Sequence, residues 1–164
     1  MSSSKRTVIV GVGNVLLKDE GIGVHVARLL QEMSFASPEG EVEVVDGGTS
    51  PDAFDSADGA DKLIVVDAAC GGGEPGTIYR FAPDGLSQEP KSLTSLHDLG
   101  VLDTLKMMEG AGNPPGDTVI IGIEPAEVEW GLELTPTLKR KLPDVVRLVV
   151  DEVGWPVRAH MASR

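Results

Sequence analysis

The chain has 164 residues, 41% of them hydrophobic and 24% charged, enough for one core-forming domain without disulfides or structural metals. Its 26 acidic residues against 14 Lys and Arg give a formal net charge of −12, which excludes nucleic acid and anionic membranes as natural partners because both need a basic face. Cys70 is the only cysteine, so no internal disulfide forms and a reducing, cytoplasmic setting is expected.

Lys5-Arg6 and the apolar run over 7–17 resemble a signal peptide only superficially. Gly11, Gly13 and Asn14 interrupt the run, no small-residue cleavage site follows, and Lys18-Asp19-Glu20 ends it. A buried first strand over 7–12 followed by a loop accounts for it, and no other segment is long enough to span a bilayer. The apolar positions 22, 26, 29, 30 and 33 recur at helical spacing and predict a helix over 22–33. A strand over 42–45, a short helix over 52–56 and a strand over 63–66 follow, the strands short, β-branched and apolar as burial on both faces requires. Residues 77–81 alternate, which assigns them to a sheet edge. A helix follows His97 through Val101, Leu102, Leu105 and Met108 and stops at Gly110, and 119–123 is the last buried strand. Thr135 as N-cap and Pro136 at the first helical position open a final helix with the apolar face Leu138, Leu142, Val145, Val146, Val149 and Val153. The pattern predicts a three-layer α/β/α fold, a mostly parallel five-stranded sheet with helices on both faces. It forms a single domain over 1–164 with its core at about 6–153 and a polar tail over 157–164.

Strands of such a sheet deliver their following loops to one edge, where function usually lies. Those loops are GVGNVLLKDEGIG (11–23), DGGTSPD (46–52), DAACGGG (67–73) and EPAEVEWG (124–131). The first invites a dinucleotide reading. However, a phosphate-binding loop runs directly into its helix, whereas here residues 15–19 intervene and Asp19-Glu20 would repel a pyrophosphate. Glu20, Asp67 and His97, from three separate loops, instead supply two carboxylates and an imidazole. That is too few ligands to close a metal's shell, which points to catalysis or to docking a metal carried by a partner. Asp19 is expected to cap the helix, and Asp46 to turn the chain before Gly47-Gly48. The alternative for Asp67 is a turn-forming residue bonding the amides after it. Cys70, three residues after Asp67, offers with His97 a rival thiol mechanism, which the surrounding negative charge disfavours. Trp130 is assigned either to a substrate surface or to the core.

The ordered set of GVGNVLLKDEGIGV (11–24), DGGT (46–49), LIVVDA (63–68), PGT (75–77), SLHDLG (95–100), IGIEP (121–125) and LTP (134–136) resembles the [NiFe]-hydrogenase maturation endopeptidases over about residues 6 to 153. The resemblance implies a protease that removes a C-terminal extension from a hydrogenase large-subunit precursor after nickel insertion. It implies nickel contacts at Glu20, Asp67 and His97, with the nickel arriving in the precursor. Gly47, Gly48 and Thr49 of the Gly-rich loop, and Trp130 with Leu132, are expected to grip that precursor. Two positions depart from the common pattern: Ser50-Pro51 follow Thr49 where many members place glycine, and the first acidic ligand is Glu rather than Asp. The non-enzymatic alternative is a nickel- or precursor-binding chaperone using the same cleft.

Overall fold

The computed structural model describes residues 4–36, 38–82, 94–95, 107–108, 110–154 and 158–161. Strands β1 (Lys5–Val12), β3 (Gly40–Gly48), β4 (Lys62–Cys70) and β7 (Asp117–Ile123) lie parallel in the order β3-β1-β4-β7. Strand β5 (Ile78–Phe81) adds to β7 antiparallel and forms the edge assigned to it. The five strands expected from the sequence are thus present, mostly parallel.

Alternation along the strands divides the core. Ile9, Ile64, Val66, Ile121 and Ile123 meet Ile22, Val26 and Leu30 of α1 (Ile22–Gln31) and Leu138, Val145 and Val149 of α2 (Pro136–Glu152). Val8, Val10, Leu63, Val65 and Ile120 face the other way, onto Ala53, Phe54 and Ala57 of the 3-10 helix Pro51–Ala57, with Met108 beside them. Covering both faces buries the central strands completely, which is why β1 and β4 read as unbroken apolar runs.

Helix α1 sits very close to the sheet because glycine occupies both sides of the contact. A Cβ built on Gly23 would lie 2.1 Å from the Val66 carbonyl oxygen and 2.3 Å from that of Val12, and one on Gly11 would lie 2.0 Å from the Gly23 carbonyl oxygen. These glycines therefore fix helix–strand packing, a use the dinucleotide reading shares for only one of its glycines.

Several expectations are corrected. Helix α1 ends at Gln31, not at residue 33, because Met33 opens β2 (Met33–Ala36), which pairs antiparallel with β8 (Arg158–Met161). Part of the expected polar tail is therefore a strand, its backbone groups satisfied by β2. Strand β4 does not end at Val66. It runs through Asp67 to Cys70, since β7 pairs with it as far as Ala68 and the short strand β6 (Thr94–Ser95) pairs with Ala69 and Cys70. Met107, Met108 and Gly110 are helical as expected, while the start of that helix and His97 lie outside the described residues. Among the described residues no helix is long and apolar enough to cross a membrane.

Candidate active site at the carboxyl edge of the sheet

The chain leaves β1 through Gly13, whose φ of +150° is glycine-favouring and whose N–H donates to the Gly48 carbonyl at 2.9 Å. A side chain there is impossible, since a Cβ would come 2.2 Å from the carbonyl oxygen of Glu20. The 3-10 turn Lys18–Gly21 thus folds back over Gly13 and leads directly into α1. Gly23 packs against the Val66 carbonyl, one residue before Asp67 in β4, and the turn that carries Glu20 touches the same strand. Asp67 is buried, registers with Gly122 of β7, and accepts the Ala68 N–H at 2.8 Å. That last bond is the local one anticipated for a turn-forming Asp, although here it sits inside a strand. Among the described residues no three His, Cys, Asp or Glu side chains gather as a metal site.

Asp19 is not a helix cap. Its fully buried carboxylate crosses to the other edge loop, where Oδ2 accepts the N–H groups of Ala126 (2.8 Å) and Glu127 (3.1 Å) and the Thr135 hydroxyl (2.8 Å). Oδ1 accepts the Thr135 N–H at 2.8 Å. Thr135 stands at the N-cap position of α2, but its hydroxyl donates to Asp19 and caps nothing, which corrects the expectation for that residue too.

Glu124, which sequence analysis does not single out, organises the same edge. It closes an apolar run as Asp67 does, which is the signal the sequence offers for it. Its Oε1 accepts from Gly71 N–H (2.8 Å), Gly73 N–H (3.0 Å) and the Tyr79 hydroxyl (2.8 Å), which fixes the loop after β4. Burial alone pushes its carboxyl up, but the donors from Gly71, Tyr79, Gly73 and Cys70 outweigh burial and hold it below the usual carboxylate range. Because the folded value is depressed, this carboxylate stabilises the fold above its unfolded pKa of about 4.3, and the contribution is lost as pH falls through the folded value. Glu124→Gln is therefore expected to cost about 1–3 kcal/mol at neutral pH. The gap to the wild type, read by urea unfolding, should shrink below about pH 4; a gap constant down to pH 3 would show that the charge contributes nothing.

Burial, the Glu124 charge and a hydrogen bond to Glu124 push the Cys70 thiol up. This opposes thiolate formation and disfavours the Cys70–His97 thiol mechanism. His25 is half-buried, with its Nε2 lacking a partner among the described residues, and burial pushes its pKa down. Asp46 does not turn the chain as expected: β3 runs on through it, in register with Gly11, and its carboxylate pairs with Arg28 at 3.0 Å, tying the end of β3 to α1. Gly47 is buried against Ala53 and the Gly11 carbonyl, so its part in any substrate contact is indirect; Gly48 is half-buried with φ of +51°, and Thr49 is exposed. Trp130 is 78% exposed, which removes the core reading.

Trp130 lies on a ledge made by two loops. The Lys18 N–H donates to the Gly131 carbonyl and the Gly131 N–H to the Leu16 carbonyl, both at 2.9 Å, while the Asp19 N–H donates to Glu127 at 3.2 Å. Leu16, Val128 and Leu132 are exposed beside Trp130. Lys18, held in the left-handed region at φ +47°, reaches Glu127 (2.6 Å) and Glu129 (2.7 Å), which push its pKa up.

Residues 24–152 match the model of the family described as HycI, hydrogenase maturation protease. The hydrogenase 2 maturation protease of Escherichia coli K12 is 31% identical over 147 residues, spanning 88% of each chain. The hydrogenase expression/formation protein HupD of Thiocapsa roseopersicina is 31% identical over 92% of this chain and 69% of its own length. Among solved structures, the hydrogenase maturating endopeptidase HybD from E. coli superposes with a TM-score of 0.76 at 30% identity, covering 94% of this chain and 96% of that one. The HycI maturation protease of Thermococcus kodakarensis gives 0.70 at 27% identity, over 92% and 93%. The chain belongs to the hydrogenase maturation protease family. It is by that membership a hydrolase of the peptidase class, with Asp67, Glu124 and position 97 inside the matched segment and Glu20 four residues before it.

Proposed function

We propose that the chain is a cytoplasmic endopeptidase that removes the C-terminal extension of a [NiFe]-hydrogenase large-subunit precursor and reads nickel already seated in that precursor. Glu20, Asp67 and His97 complete the shell of that nickel. The observation that carries this reading is a convergence of chain segments. The turn of Glu20 touches β4, Asp67 lies in β4, and Ser95, two residues before His97 in sequence, pairs with Ala69, two residues after Asp67. Two oxygens and an imidazole nitrogen bind nickel acceptably without excluding copper or zinc, which suits a site that receives a metal on its substrate and does not select one from solution. Water would add to the scissile carbonyl, its proton passing to a carboxylate of the trio and on to the amine released as the C–N bond breaks; nickel carried by the precursor would supply Lewis acidity.

The test is intact mass after mixing the protein with cognate precursor, nickel-loaded or nickel-free. Loss of the extension from the loaded form alone supports the reading. Cleavage of both keeps the protease and removes nickel recognition; binding without cleavage of either identifies a chaperone.

Trp130 and Leu132 form the precursor contact on the ledge, consistent with the enrichment of exposed aromatics at binding hot spots. Trp130→Ala is expected to raise KM for the precursor about tenfold, equal to about 1.4 kcal/mol, with little change in melting temperature. A fall in melting temperature with KM unchanged would remove Trp130 from substrate binding.

A further inference from the structure

We propose that Asp19 is a positioning residue: it locks the turn carrying Glu20 to the Trp130 ledge, so that both move as one unit and precursor docking sets the Glu20 carboxylate. The inference rests on the reading that Glu20 serves the site, and it adds a residue with no contact to substrate or metal. An acidic side chain next to Glu20 would ordinarily face solvent in a 3-10 turn at the mouth of a cleft. Asp19 is instead fully buried, and each carboxylate oxygen is consumed by donors from the far loop: Ala126, Glu127 and both Thr135 groups. Three backbone bonds close the same seam, from Lys18, Asp19 and Gly131. Glu20 follows Asp19 directly, and Trp130 precedes Gly131. A shift of the ledge therefore cannot occur without breaking the seam or moving Glu20. A buried carboxylate costs desolvation that only such complete pairing offsets. An apolar residue there would leave three backbone N–H groups and a hydroxyl without an acceptor, so the carboxylate fixes the register of the seam.

Two variants separate positioning from mere stability. Thr135→Val keeps the shape and β-branch and removes only the hydroxyl, which caps nothing in α2. Asp19→Asn is more severe, because whichever oxygen becomes NH2 then faces at least one donor. With saturating nickel-loaded precursor, Thr135→Val is expected to lower kcat about tenfold, the scale typical of removing an outer partner of a metal-site ligand, with KM within about twofold. Thr135→Ser should restore the rate. Amide exchange gives a second readout that needs no substrate: the amides of Lys18, Asp19 and Gly131 should be protected in the wild type and exposed in Asp19→Asn. Folded variants of both kinds with wild-type kcat would overturn the proposal, as would wild-type amides that exchange as fast as those of Asp19→Asn. Absence of cleavage by the wild type would overturn the processing role instead, leaving the lock to be judged by exchange alone.

Discussion

Asp67→Asn is expected to slow processing of the nickel-loaded precursor about 100-fold or more, beyond the 10- to 100-fold typical of outer partners, while leaving the fold intact. The substitution isolates charge. Asp67 is buried within β4 and its Oδ1 accepts the Ala68 N–H, a bond an Asn oxygen of the same size can keep. What Asn cannot supply is an anionic ligand or a proton acceptor. Pairing the result with His97→Ala decides between the two roles. If both side chains hold the nickel of the precursor, the two variants fall together and each resembles the wild type acting on nickel-free precursor. If Asp67 serves only as the base, it falls alone. Single-turnover cleavage followed by intact mass measures both, and wild-type rates in Asp67→Asn would remove that carboxylate from the chemistry.

The layered sheet was legible because burial on both faces writes a short, β-branched, uninterrupted pattern, as in Leu63 to Val66, and because α1 and α2 carry one apolar face each. The β2–β8 ribbon was not, since MSFA and RAHM are only four residues each and lie far apart in the sequence, so that neither reveals its partner. The candidate residues Glu20 and Asp67 were found from residue type and loop position, which topology alone brings to one edge. Their neighbours were harder. Side chains adjacent along a 3-10 turn point about 120° apart, so the pair Asp19-Glu20 must split between interior and cleft, but the sequence holds no sign of the donors waiting at Ala126, Glu127 and Thr135. Sequence alone therefore predicts a cap at Asp19. The role of Glu124 is hidden for the same reason: its donors Gly71, Gly73 and Tyr79 belong to another loop and an edge strand. Trp130 shows the limit from the other side, because its exposure follows from the seam between two loops and not from its own neighbours.

Gly23→Ala should destabilise the protein by about 3 kcal/mol or more, the upper range of overpacking effects, although helix propensity alone predicts the opposite sign. Alanine is favoured over glycine inside a helix by about 1 kcal/mol, and Gly23 is the second residue of α1. Sterics decide against it. The new Cβ would sit 2.1 Å from the Val66 carbonyl oxygen and 2.3 Å from that of Val12, and both are backbone atoms of central strands that cannot rotate aside. Relief requires α1 to lift from the sheet, which opens the core around Ile22 and Val26 and draws the preceding turn with it. The urea midpoint should fall. Cleavage by the fraction still folded should fall further, because Glu20 moves with the turn while Asp67 stays in β4. A variant with lower stability but wild-type rate per folded molecule would show that the turn holds its place through the Asp19 seam alone. A stabilised variant would mean that α1 stands farther from β1 and β4 than the glycine contacts require.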